Sequence, residues 1–208
     1  MTDAIQIERE RGLLTLRLNR PDKKNALTRA MYSQLGEALK QADSDPEINA
    51  VLITGSAECF TAGNDIADFI QQPPSDLDSP VFHFMLNLLE CRKPVIAAVA
   101  GAAVGIGTTM LLHCDLVYVA RDARLRMPFV NLGLCPEFGS SLILPRLLGQ
   151  AKAAELLLLG GVSMVNRLPR GALRPRRWAV ARRPWPRRGR RHCALSRCLP
   201  KRCASASN

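Results

Sequence analysis

No apolar run among the 208 residues approaches the roughly 18–20 that a membrane-spanning helix requires. Met1 to Glu10 mixes acids with apolar residues, unlike the basic start and apolar middle of a signal peptide. A soluble, cytoplasmic chain is therefore expected. No internal repeat is evident. Closely spaced metal-ligating pairs are missing as well: Cys193, Cys198 and Cys203 recur every five residues beside His192, whereas zinc sites use tighter spacings on ordered turns. No metal site is expected. The other four of the seven cysteines, Cys59, Cys91, Cys114 and Cys135, stand singly among apolar residues, as reduced thiols in a cytosolic core do.

The sequence is 47% hydrophobic and 23% charged, average for a soluble globular chain, which excludes wholesale disorder, collagen-like sequence and coiled coil. Its length supports one domain with a sizeable core. The net charge of +11 would suggest a polyanion partner, but it sits at one end. Residues 165–208 carry 13 Arg, 1 Lys and no acid, while the 15 bases and 18 acids of residues 1–164 leave the body at −3. That basic stretch, including Arg174-Pro175-Arg176-Arg177-Trp178 and Pro184-Trp185-Pro186-Arg187-Arg188, shows neither helical nor strand periodicity. The sequence thus divides into a core, residues 1–164, and an Arg/Pro-rich tail, residues 165–208, expected to be disordered or the out-of-frame translation of a GC-rich gene. The alternative for the tail is an arginine-rich, Trp-containing segment that binds polyanions.

Within the core, Leu14-Thr15-Leu16-Arg17-Leu18 alternates strictly and reads as a strand, with Ile5 to Glu8 as its partner. Met31, Leu35, Ala38, Leu39 and Ala42 follow helical spacing after the candidate cap Thr28. Ala50-Val51-Leu52-Ile53-Thr54 is a continuous apolar run, the mark of a strand covered on both faces. The alternation continues with helix Val81 to Cys91, strand Val95 to Val99, a glycine-rich loop, helix Gly107 to Cys114 and strand Leu116 to Ala120. Leu125 to Met127 is a further candidate strand; Gly139 to Leu147 and Gln150 to Leu159 are candidate helices. This pattern specifies an α/β layered sheet.

Two loops offer backbone donors. Phe60-Thr61-Ala62-Gly63-Asn64-Asp65-Ile66 follows a buried strand and precedes a helical stretch, which places main-chain N–H groups near a helix N-terminus. Gly101-Ala102-Ala103-Val104-Gly105-Ile106-Gly107 repeats the arrangement, with glycines that admit close approach of a ligand. N–H groups from both, aimed at one oxygen, would form an oxyanion hole. The plain alternative is a helix cap at Asn64 or Asp65 and an ordinary glycine-rich turn.

Those loops also carry a resemblance. Asn19-Arg20-Pro21 with Lys24-Asn25-Ala26-Leu27, the Phe60 to Ile66 segment, and Lys93-Pro94-Val95-Ile96-Ala97-Ala98-Val99 with Gly101 through Cys114-Asp115 resemble, in order and spacing, the enoyl-CoA hydratase/isomerase superfamily. The resemblance spans about Ile5 to Leu159. It implies an α/β, crotonase-like (ClpP/crotonase) fold, a spiral of repeated ββα units, in an acyl-CoA enzyme of fatty-acid metabolism. By the same resemblance, the N–H groups of Asn64 and Ile106 form the oxyanion hole. Lys24, Asn25, Ala26, Ala62, Gly63, Asp65 and Ile66 line the CoA path. Coenzyme A enters only as part of the substrate, and no separate cofactor, membrane or nucleic-acid partner is expected. The family also implies a homotrimer, built with C-terminal helices; here the resemblance fades near Gly160, and those helices are expected to be missing or replaced.

Hydration of a conjugated double bond is served by two carboxylates. The resemblance places the hydratase glutamates at positions that here hold Thr109 and Phe129. A third position, after Leu132-Gly133-Leu134-Cys135-Pro136, carries Glu137, and this arrangement resembles the Δ3,Δ2-enoyl-CoA isomerase branch, in which one glutamate suffices. Moving a double bond from C3 to C2 takes one proton from C2 and returns one to C4, so one base serves both steps. Leu132, Leu134, Phe129 and Phe138 are expected to raise the pKa of Glu137 by burial. The alternatives are a hydratase or other crotonase-family lyase, a non-catalytic CoA-binding protein, and tail-mediated polyanion binding. Asp115 and His113 are read as structural and surface residues, and Arg20, Lys23 and Lys24 either as phosphate contacts or as solvated turn charges.

Overall fold

A computed structural model describes residues 3–74, 77–164 and 178–181 of the protein. Strands β1 (Ile5–Glu10) and β2 (Leu13–Leu18) pair antiparallel, and helix α1 (Arg29–Ser44) crosses over to β3 (Ala50–Thr54), which lies parallel to β2. Thr28 caps α1, its hydroxyl accepting from the Met31 N–H, as the sequence pattern indicates. Then come β4 (Cys59–Thr61), α2 (Ile66–Gln71), α3 (Pro80–Glu90), β5 (Val95–Val99), β6 (Ala102–Val104), α4 (Ile106–Thr109), a 3-10 turn Met110–His113, β7 (Leu116–Ala120) and β8 (Arg124–Arg126). Helices α5 (Ser140–Leu148) and α6 (Gln150–Leu159) and the short strand β9 (Val162–Met164) complete the core.

The strands fall into two sheets, one in the order β1-β2-β3-β5-β7-β10, where β10 is Trp178–Ala181, and one in the order β4-β6-β8-β9. The first unit keeps both strands, β1 and β2, in the large sheet; from β3 to β8 each unit places its first strand in the large sheet and its second in the small one, then turns into helix: a repeated ββα spiral. Period-two side-chain alternation explains the layering. Leu14, Leu16, Val51, Ile53, Val95, Ala97, Val117 and Val119 face the main core under α1 and α3, while Leu13, Ala50, Leu52, Ile96 and Ala98 form a separate apolar cluster with Leu116 and Tyr118. A third cluster, with Leu112, Met127, Phe129 and Leu144, lies beneath α5 and α6.

The small sheet departs from the sequence reading. Ala102–Val104, expected within a glycine-rich loop, is strand β6, and Cys59–Thr61 is strand β4. Three residues are too few to show a two-residue period, so only pairing defines them. Their contact needs a glycine at 101. Gly101 has φ +64, and a Cβ there would stand 1.7 Å from the Glu58 carbonyl oxygen. Of the residues after 164, Trp178–Ala181 form strand β10, parallel to β7, although no strand period marks them; the remainder of the stretch read as disordered or out of frame lies outside the described residues. Ser75 and Asp76 lie outside them too.

Replacing Gly101 by Ala is expected to lower unfolding free energy by about 3 kcal/mol or more, because neither φ nor the backbone contact tolerates a Cβ. Gly161→Ala, where nothing lies within 4 Å of the added carbon, is the matched control and should stay within about 0.5 kcal/mol in the same denaturant titration.

Candidate active site

The site begins where β4 and β6 end. These strands run parallel in register Thr61↔Ala103, so Asn64 and Ile106 each lie three residues beyond a matched pair. Gly63, at φ +94, lets the two turns touch: a Cβ there would be 2.9 Å from the Val104 oxygen. Leu27 fixes the direction of the Asn64 peptide, its N–H donating to the Gly63 oxygen while its own oxygen accepts from the Asp65 N–H. The Asn64 N–H therefore points away from Leu27. Ile106 opens α4, where an N–H has no partner within the helix. Among the described residues, neither the Asn64 nor the Ile106 N–H meets an acceptor.

The turn around Lys24 is sewn to this loop. The Ala62 N–H donates to the Lys24 oxygen at 2.9 Å, and the Thr61 hydroxyl donates to the Asn25 oxygen at 2.7 Å. Asn25 is buried, its amide donating to the Cys59 and Phe60 oxygens while its Oδ1 accepts from the Arg20 N–H. Its side chain holds the turn and is not free to meet a ligand. Lys24 and Ile66 are exposed, Ala26, Ala62 and Asp65 are half-buried, and Gly63 is buried. Asp65 caps α2 by accepting from the Ala67 and Asp68 N–H groups, and it pairs with Arg20 at 2.6 Å. Arg20 and these caps hold its carboxyl below the usual range. Arg20 also donates to the Ala26 oxygen, so it clamps the turn to the loop, a role the sequence left open.

Glu137 is half-buried, and Oε1 accepts from the Thr109 hydroxyl at 3.3 Å. Thr109 stands one turn along α4 from Ile106, which brings the carboxylate to the same helix as one free N–H. Burial pushes the Glu137 carboxyl up to about 7, against the opposing pull of Thr109. The source of that burial differs from the sequence expectation: Leu132 and Leu134 are 59% and 44% exposed, and Phe129 belongs to the cluster beneath α5 and α6. Phe138 has φ +52 and stacks on His113 at 3.8 Å, and His113 Nε2 lies 2.7 Å from the Phe138 oxygen. His113 thus pins the turn that carries Glu137, a role its helical position did not signal. Asp115 is structural as read, accepting from the Val95 N–H at 2.8 Å. Cys59 and Cys114 are buried as expected, but Cys135 is exposed.

The model of the family described as enoyl-CoA hydratase/isomerase matches residues 8–167. The chain belongs to this family. It is 42% identical over 158 residues to the 1,2-epoxyphenylacetyl-CoA isomerase of Escherichia coli (strain K12), covering 73% of this chain and 60% of that protein. It is 36% identical over 165 residues to the human enoyl-CoA delta isomerase 2, covering 76% of this chain and 42% of that protein. Among solved structures, Pseudomonas aeruginosa OdaA superposes with a TM-score of 0.77 at 69% identity, over 78% of this chain and 66% of that one. The chain therefore spans less than two thirds of the length of these curated relatives. The two-sheet ββα spiral is the crotonase fold of the family.

Linkage fixes the effect of Glu137 on stability. Its folded pKa lies above the unfolded value, so stability is full below about 4.5 and falls as pH rises through about 7. Glu137→Gln, which keeps the acceptor for Thr109, should match the parent near pH 4 and exceed it by on the order of 1–2 kcal/mol at pH 8, read by denaturant unfolding at both pH values.

Proposed function

We propose that the chain is a Δ3,Δ2-enoyl-CoA isomerase in which Glu137 is the single acid and base and the N–H groups of Asn64 and Ile106 hold the thioester oxygen. The observation that carries this reading is the pairing of Thr109 with Glu137: the position at which a hydratase would need its first glutamate holds a buried hydroxyl that serves the remaining carboxylate. The second position, Phe129, is buried among apolar side chains. The human relative named enoyl-CoA delta isomerase 2 supports the choice.

In the proposed reaction, a 3-enoyl thioester lies with its carbonyl oxygen at the two N–H groups. The Glu137 carboxylate removes a proton from C2, and the C–H electron pair spreads over the thioester oxygen and the C3–C4 double bond as a dienolate. The neutral Glu137 carboxyl then protonates C4, the double bond settles between C2 and C3, and the carboxylate is restored. No water is added and no oxidant is used. The negative charge passes from Glu137 to the thioester oxygen and back. Each donor aimed at that oxygen contributes about 2.7–4 kcal/mol in comparable sites. A base with pKa about 7 is half ionised at neutral pH and returns its proton readily.

Coenzyme A is the handle of the substrate, and no separate cofactor is proposed. Lys24, Ala26, Ala62 and Ile66 face its path, while Gly63, Asn25 and Asp65 shape and hold that path. Localisation in the cytoplasm remains part of the proposal. Among the described residues, no helix is long and apolar enough to cross a membrane.

With a 3-enoyl-CoA substrate, the absorbance of the conjugated 2-enoyl thioester should grow. Glu137→Gln should reduce that rate by about a thousandfold or more. The rate constant kcat/KM should rise with pH to a midpoint near 7 and level off above it. Efficient hydration of 2-enoyl-CoA, undiminished by Glu137→Gln, would replace this reading with a hydratase.

A further inference from the structure

Tyr32 lies on the second turn of α1, 2% exposed, with its ring tilted against Phe84 at a centroid distance of 5.5 Å. A core residue of this kind needs no explanation beyond packing, except that its hydroxyl donates to Oδ1 of Asn64. Both residues line a shallow surface pocket with Leu27, Phe69, Pro74 and Val81. The hydroxyl also lies near enough to Glu137 for that carboxylate to raise its pKa, in addition to the larger effect of burial. Tyr32 therefore stays protonated, as a donor, throughout the range in which Glu137 titrates.

The Asn64 peptide is already held by Leu27, so the hydrogen bond from Tyr32 governs the carboxamide instead. An unanchored carboxamide beside an anion-holding N–H is a hazard. Turned one way it presents a carbonyl oxygen, which repels a developing oxyanion or competes for its donors; turned the other way it presents N–H groups. Tyr32 draws Oδ1 toward α1. Among the described residues the Asn64 Nδ2 has no acceptor, so this half of the amide is left to donate to a ligand.

Resting on the proposed oxyanion role of Asn64, we infer that Tyr32 is a positioning residue, whose hydroxyl keeps the Asn64 carbonyl oxygen out of the oxyanion site so that Asn64 faces it with donors alone. Tyr32→Phe keeps the ring on Phe84 and removes only the hydroxyl. Its kcat for 3-enoyl-CoA should fall about tenfold, while KM changes by less than about twofold, because the effect develops with the charge.

Two experiments test this on the full chain. The first is a double-mutant cycle in kcat with Asn64→Ala, which keeps the backbone N–H. In the Asn64→Ala background Tyr32→Phe should have no further effect; if the two losses multiply, or if either single variant has parental kcat, the inference is overturned. The second reads carbonyl polarisation without turnover, as the red shift of cinnamoyl-CoA absorbance on binding, with occupancy measured by equilibrium dialysis. The parent should shift the band, and Tyr32→Phe should shift it less. An equal shift in both overturns the inference and leaves the oxyanion role of Asn64 standing. No shift in the parent at full occupancy overturns that role, and the inference with it. Should Tyr32→Phe fail to fold, Asn64→Ala alone decides, since an undiminished shift in that variant removes the group through which Tyr32 acts.

Discussion

The contact of Gly63 with Val104 is the constraint on which the rest of the site depends. Two parallel strands of three residues each cannot bring their following turns together unless one turn gives up its Cβ. Around that contact the protein concentrates its polar connections. Asn25 ties the Lys24 turn to β4, Arg20 ties the same turn to Asp65, and Leu27 sets the direction of the Asn64 peptide. The chain thus devotes a buried asparagine and a half-buried ion pair to fixing one peptide plane, an arrangement expected where a donor must be aimed before the charge arrives.

The second organising fact is electrostatic. Burial that pushes Glu137 up to about 7 also lowers the local dielectric in which free N–H groups act. In the proposed reaction, the same desolvation that readies the carboxylate as a base strengthens the donors that would receive its charge. A second carboxylate at position 109 would change this balance, since two acids so close would compete for one proton. At that position Thr109 instead donates a hydrogen bond to Glu137. The stability given up by keeping Glu137 in a buried place is a small local loss, borne by a domain whose three apolar clusters supply its cohesion.

Much of this was legible in the sequence, for physical reasons that differ by element. The apolar runs Ala50–Thr54 and Val95–Val99 and the helical period of Met31 to Ala42 are long enough for burial to impose a pattern, and they stand where the pattern puts them. Strands β4 and β6 are too short to carry one, and they exist through pairing alone. The motifs around Lys24, Asn64 and Glu137 mark the proposed site but not which atoms are free, so Asn25 and Asp65 read as ligand contacts whereas the structure engages their side chains within the protein. Leu132 and Leu134 read as the wall around Glu137 but face outward, because a turn has no period to predict its orientation. Tyr32 and His113 sit on helices as ordinary positions, and only distance reveals what their polar atoms hold.

The central claim is that one carboxylate carries one proton from C2 to C4. It is tested most directly by a single turnover of 3-enoyl-CoA deuterated at C2, with the product examined by mass spectrometry and NMR. The account predicts a 2-enoyl-CoA in which a measurable share of the deuterium has moved to C4, because the proton stays on Glu137 between the two steps. A product with oxygen added at C3, or label lost entirely to solvent with Glu137→Gln still active, would contradict it.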